Sequence, residues 1–114
     1  MRILVTGSAG HLGEALVRTF RDMGNDVIGL DIKESACTTM VGSVADHPVV
    51  KACMSGVNAV YHTATLHKPH VVTHSMQEFI DTNVSGTSVL LKEAQTVGVG
   101  SFIFTSTTSV FGDV

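Results

Sequence analysis

The chain has 114 residues, 44% of them hydrophobic and 15% charged, with a formal net charge of −3 and a mean hydropathy of +0.32. That apolar content excludes a disordered chain, and a weakly acidic balance without long like-charge runs offers no footing to a nucleic-acid backbone. Uninterrupted apolar runs reach about four residues, against roughly 20 for a membrane span, and "MRILV" passes at once to Thr6 and Gly7 without a signal-peptide core.

Arg2 to Val5 is a short aliphatic run bounded by glycine and reads as a buried strand. From His11 to Met23 the period becomes helical, with Leu12, Ala15, Leu16, Phe20 and Met23 as the expected apolar face and Gly24 as the stop. "DVIGLD", Asp26 to Asp31, is a second buried strand. A third is expected over Thr38 to Val41, although the seven residues after Leu30 are few for a parallel crossover. Asp46 suits an N-cap, with Pro48 in the first turn of a helix reaching Met54. Val57 to His62 is a fourth strand. A polar, histidine-rich loop follows, then a long helix from Ser75 to Val97 with the stripe Met76, Phe79, Ile80, Val84, Leu90, Leu91, Ala94 and Val97. Ser101 to Ser106 is a fifth strand. Strands that are apolar on both faces and alternate with helices specify a parallel α/β sheet covered on both sides, one domain over residues 1–114. Cys37 and Cys53 lack a CxxC spacing and suit a reducing compartment, so a soluble, cytoplasmic protein is expected.

"TGSAGHLG", residues 6–13, puts three glycines where the first strand hands over to the first helix. There the first glycine permits a tight turn, the second admits a pyrophosphate, and the third lets helix and strand pack closely. The helix N-terminus offers N–H groups and the positive end of its dipole to the phosphates. The spacing of Gly7, Gly10 and Gly13 is GxxGxxG. Asp31 ends the second strand, 24 residues after Gly7. A carboxylate there accepts from adenosine ribose hydroxyls and repels the 2′-phosphate of NADP, which points to NAD. Lys33 lies close enough to soften that repulsion.

These residues carry a resemblance. "TGSAGHLG" resembles the TGxxGxxG element of the extended short-chain dehydrogenases/reductases, the NAD-dependent epimerase/dehydratase family. "GSVAD" (42–46) is similar to the family's GDxxD, "VNAVYHTAT" (57–65) to VDxVxHxAA, "NVSGT" (83–87) to NVxGT, and "FIFTSTTSVFG" (102–112) to FxxxSSxxVYG. The resemblance implies a Rossmann-type doubly wound sheet of order 3-2-1-4-5 with NAD at the switch point between strands 1 and 4. It implies that Gly7, Gly10, His11, Leu12 and Gly13 hold the pyrophosphate and that Asp31 binds the ribose. Ser43 and Val44 would meet the adenine, with Ser43 standing where the family has Asp. Thr63, Ala64, Thr65 and His67 would line the cofactor, Asn83 would brace that turn, and Thr107 would be the catalytic hydroxyl.

The family's YxxxK pair is absent. Tyr61 is the one tyrosine, and no lysine stands four residues on. The chain is therefore expected to be the N-terminal cofactor part of a longer enzyme, truncated after the fifth strand and inactive alone. The parent would act at a carbinol carbon of a small-molecule substrate such as a nucleotide sugar. The alternative is a non-catalytic, dinucleotide-sensing protein of the same fold. Loss of neighbours around the long helix and fifth strand predicts a homo-oligomer or a self-associating chain. His62, His67, His70 and His74 raise a metal site, but no acidic or cysteine ligands are interleaved, and they are read as a polar loop facing substrate or solvent.

Overall fold

The computed structural model describes residues 1–63 and 84–104. In chain order these hold β1 (Arg2–Thr6), α1 (His11–Asp22), β2 (Asp26–Asp31), β3 (Met40–Val41), α2 (His47–Met54), β4 (Ala59–His62), α3 (Gly86–Val97) and β5 (Ser101–Phe104). The strands form one parallel sheet in the order β3-β2-β1-β4-β5, the order expected from the sequence. Residues 64–83 and 105–114, where the sequence pattern puts the start of the long helix and the end of the fifth strand, lie outside the described residues.

The pleat sorts the apolar residues into two cores. Ile3 and Val5 of β1, Val27 of β2 and Ala59 of β4 face Val17 of α1, with Leu16, Phe20 and Tyr61 packed against them. Leu4, Ile28, Leu30 and Val60 face the other way, onto Val50, Cys53 and Met54 of α2 and Leu90 and Ala94 of α3. Alternate residues of one strand feed opposite layers because successive side chains leave a strand on opposite sides. Helices therefore cover both faces.

Two helix faces differ from those expected. On α1 the buried residues are Gly13 and Val17, while Leu12 and Met23 are 48% and 70% exposed and Ala15 is exposed. Gly13 seats against the preceding turn, and this directs the positions three, four and seven further on, Leu16, Val17 and Phe20, at the sheet. On α3 the buried residues are Gly86, Leu90, Glu93 and Ala94, while Leu91, Val97 and the preceding Val84 are exposed. The charged Glu93 sits on the buried stripe because its carboxylate pairs with the His47 imidazole of α2. Asp46 is the N-cap of α2 as expected, but its side chain caps nothing. Pro48 occupies the first turn and has no N–H to offer.

The short crossover from β2 to β3 has a physical solution. β3 is two residues long and pairs only with Leu30 and Asp31. The connection need climb back only a residue or two, about 3.3 Å each, so a loop replaces the usual helix. That loop runs over the α1 face and buries Cys37 there. It fits because Gly29 has no side chain. A Cβ at Gly29 would lie 1.9 Å from the Cys37 carbonyl oxygen and 2.8 Å from the Ser8 Cβ. Thr39 fixes the same point twice: its N–H donates to the Gly29 carbonyl at 2.8 Å, and its Oγ1 accepts the Gly29 N–H at 3.1 Å.

Gly29→Ala is expected to destabilise the chain by about 2 kcal/mol or more, since a backbone carbonyl must move to admit the methyl group. Gly100→Ala, whose Cβ would meet only the Asn58 carbonyl at 3.7 Å, should stay within about 0.5 kcal/mol of the parent. Urea unfolding of both variants checks this, and equal stability of the two would count against the crossover account.

Candidate functional site

The carboxyl edge of the sheet opens between β1 and β4, the point where strand order reverses and α/β sheets take ligands. The chain leaves β1 into Gly7, whose φ of +74° lies in the region that side chains disfavour. The Gly7 N–H donates to the Leu30 carbonyl at 2.8 Å, and the Gly10 N–H to the Gly7 carbonyl at 3.0 Å. Gly13 then passes so close that a Cβ there would lie 1.9 Å from the Gly7 oxygen. Gly10 is exposed, and its imagined Cβ meets only that same oxygen, at 3.3 Å. Two glycines thus serve the turn and the packing, and the third keeps the surface beside the helix end clear.

Gly10 is also the N-cap of α1 and has no side chain with which to cap it. The first bond along the helix runs from the Glu14 N–H to the Gly10 carbonyl. The N–H groups of His11, Leu12 and Gly13 precede it and point along the axis at the clear surface, as the first turn of any helix leaves them. Such a terminus attracts an anion through both N–H donors and dipole. His11 and Leu12 are exposed at this edge.

Asp31 closes the other side of the turn. Its Oδ2 accepts the Ala9 N–H at 2.9 Å and its Oδ1 the Lys33 N–H at 2.9 Å. The half-buried carboxylate is held between turn and loop, and each oxygen keeps a lone pair for a further donor. Ser43 and Val44 follow β3. The Ser43 Oγ accepts the Ala45 N–H at 3.0 Å. The Val44 side chain belongs to the core beside Leu90, so only its backbone can face a ligand.

On the β4 side, Thr63 bends back onto β1. Its Oγ1 donates to the Thr6 carbonyl at 2.6 Å, and its N–H donates to the Thr6 Oγ1 at 3.0 Å. His62 completes this edge and was not among the site residues expected from sequence. Its ring is fully buried, with Nδ1 2.7 Å from the Thr6 Oγ1 and Nε2 3.0 Å from the Thr87 Oγ1 in the first turn of α3. If Thr6 donates to Nδ1, Nε2 carries the proton and donates to Thr87. Burial holds the imidazole neutral, its pKa pushed down to about 4. The alternation of β4 was the available signal: His62 shares its face with the buried Val60. Ala64, Thr65, His67, Asn83 and Thr107 lie outside the described residues.

The donor set fits a dinucleotide. Among the described residues it has an uncapped helix end that suits a pyrophosphate, one fixed carboxylate that suits ribose hydroxyls, and the neutral hydroxyls of Thr6, Ser43 and Thr63. The NAD dependent epimerase/dehydratase family model matches residues 3–114. The chain is 33% identical to UDP-glucose 4-epimerase of Erwinia amylovora, over 98% of this chain and 38% of that protein. It is 34% identical to 3 beta-hydroxysteroid dehydrogenase/Delta 5-->4-isomerase of Mycobacterium tuberculosis, over 96% and 32%. A short-chain dehydrogenase/reductase superfamily protein from Agrobacterium tumefaciens, solved with bound NAD, superposes with a TM-score of 0.88 at 33% identity, covering 98% of this chain and 34% of that one. The chain thus spans about a third of the length of the proteins it resembles.

Stability should fall with acid in a way that His62 carries. Its folded pKa of about 4 lies below the unfolded value of roughly 6.5. Folding therefore favours the neutral ring, a contribution fully present above the unfolded pKa and lost as pH falls toward 4. The shift corresponds to about 3 kcal/mol. Urea unfolding of the parent and of His62→Gln at pH 7 and pH 4 checks this. His62→Gln should start less stable and lose less, and parallel losses would remove His62 from the account.

Proposed function

Since the chain belongs to the NAD dependent epimerase/dehydratase family, we propose that it is the NAD-binding part of an oxidoreductase acting at a carbinol carbon of a nucleotide sugar. The uncapped start of α1 beside Gly10 carries the reading. It is an anion site at the switch point of a doubly wound sheet, with Asp31 bonded to the Ala9 N–H beside it. NAD, when bound, supplies the hydride acceptor. The chain's own residues orient it: the N–H groups of His11, Leu12 and Gly13 take the phosphates, Asp31 the adenosine ribose, and the Thr6–Thr63 clasp sets the turn after β4. Ser43, Val44, Ala64, Thr65, His67 and Asn83 belong to the same proposal as cofactor contacts. Thr107 belongs to it as the hydroxyl that would hold the substrate oxygen. The nucleotide sugar is supported by the likeness to UDP-glucose 4-epimerase, while the likeness to a hydroxysteroid dehydrogenase names the competitor. Self-association is part of the proposal, because Leu91 and Val97 of α3 and Ile103 and Phe104 of β5 turn apolar surface to solvent.

Calorimetric titration should show NAD binding more tightly than NADP. Asp31→Asn should weaken NAD by about tenfold, the worth of one hydrogen bond to a charged group, and improve NADP. Tighter NADP binding by the unaltered chain would refute the role of Asp31. Assay of the protein carrying this chain with UDP-glucose and with a 3β-hydroxysteroid separates the substrates, and NAD binding with no turnover of any alcohol would favour the sensing alternative. Sedimentation at several concentrations should show association; a monomer at all of them would sink that part.

A further inference from the structure

We propose that the hydroxyls of Ser8 and Thr38 are specificity-determining: by bolting the crossover loop to the glycine turn they hold Asp31 in the orientation that selects NAD over NADP. The proposal rests on the reading of Asp31 given above and concerns residues outside the cofactor contacts proposed there.

The Asp31 carboxylate is gripped from two segments. Ala9, in the glycine turn, holds Oδ2, and Lys33, in the crossover loop, holds Oδ1. Its orientation is therefore only as fixed as the distance between turn and loop. That distance is set by a chain of hydroxyls. Ser8, fully buried, has its Oγ 2.8 Å from the Thr38 Oγ1, which is 2.8 Å from the Ser35 Oγ. Ser35 in turn accepts the Cys37 N–H at 3.2 Å and, through its carbonyl, the Thr38 N–H at 3.1 Å. The loop has no helix to stiffen it, so it is held by these bonds, by the Gly29 contact and, farther from Asp31, by the bond from Arg21 to the Ala36 carbonyl at 3.4 Å. Ser8 touches both: its Cβ and Oγ would lie 2.8 and 3.0 Å from a Cβ at Gly29.

Discrimination at a ribose depends on a carboxylate that cannot turn away. A fixed carboxylate accepts from a 2′-hydroxyl and meets a 2′-phosphate with like charge at short range. If the Ser8–Thr38 bond is removed, the loop can lift, the Lys33 N–H leaves Oδ1, and Asp31 gains rotamers that avoid the phosphate. The Lys33 ammonium, carried by the same loop, then becomes free to approach that phosphate. Both changes favour NADP, and only the first costs NAD anything.

The test is the ratio of NAD to NADP affinity, measured by calorimetric titration of the chain and of Ser8→Ala, Thr38→Val, Thr38→Ser and Ser35→Ala, with near-ultraviolet circular dichroism to confirm folding. Thr38→Val keeps the shape and loses the hydroxyl, and it should lower the NAD preference by about tenfold, mostly through tighter NADP binding. Thr38→Ser should restore the preference. Ser8→Ala should shift the ratio in the same direction, by no more than Thr38→Val, which also loses the Ser35 bond, and the double variant should be no worse than Thr38→Val, since the bond the two share is already cut. Ser35→Ala, at the exposed end of the chain of hydroxyls, should shift the ratio in the same direction by less. An unchanged ratio in folded Thr38→Val or Ser8→Ala would overturn the proposal. So would an equal loss of both dinucleotides, which is what mere loosening of the fold would give. If the unaltered chain shows no preference, the Asp31 reading falls and the proposal with it.

Discussion

A Cβ on residue 13 would sit 1.9 Å from the Gly7 carbonyl oxygen, and much of the molecule follows from its absence. Because the first turn of α1 lies against the turn it has just left, the helix starts at the sheet's edge, and its N-cap, Gly10, has no side chain to cap it. Its first N–H groups then face outward over Gly10. The same contact selects which residues of α1 meet the sheet. Val17 and Phe20 follow Gly13 at helical spacing and go inward, while Leu12 and Met23 are left outside. One close approach thus positions the helix, orients its apolar face and leaves its positive end free.

The edge around that helix end is stitched with neutral groups. Thr6 and Ser8 flank Gly7, and they reach to opposite sides. Thr6 joins Thr63 and the buried His62 toward α3, and Ser8 joins Thr38 and Ser35 toward the crossover loop. Buried polar groups are tolerable only when hydrogen-bonded, and hydroxyls with an uncharged imidazole meet that need without adding a second full charge. Among the described residues, Asp31 is left as the carboxylate held at this edge.

Strand composition and order were open to reading from sequence, and the reason is physical. "DVIGLD" is apolar on both faces, and its observed bounds, Asp26–Asp31, are those the pattern implies. The helix faces were harder. The close packing of Gly13 was legible in the glycine motif, but a hydrophobic wheel counts side chains, so it put Leu12 and Met23 on the buried face and passed over Glu93, whose burial depends on His47, 46 residues earlier in the chain. Gly29 is similar: within "DVIGLD" it looks like a weak point of a strand, and only the loop above it shows why no larger residue fits. His62 could have been found from the alternation of β4, but its neighbours in sequence, the other histidines, drew it into a loop.

The crossover loop shows how a local shortage becomes a functional arrangement. Seven residues cannot carry a helix back along a full strand, so β3 shrinks to Met40–Val41 and the connection lies flat over Gly29. A flat loop buries little apolar surface, Cys37 being its buried apolar residue. Its position therefore rests on hydrogen bonds: Arg21 of α1 donates to the Ala36 carbonyl, and three more end on Ser8, Gly29 and Asp31. Of these three, two belong to the glycine turn or touch it, and the third is the carboxylate beside it. A helical crossover would have been positioned by its own apolar face, independently of the turn. Here the loop that carries Lys33 is registered directly against the turn that presents the helix N-terminus, so Asp31 and the start of α1 are held in one frame.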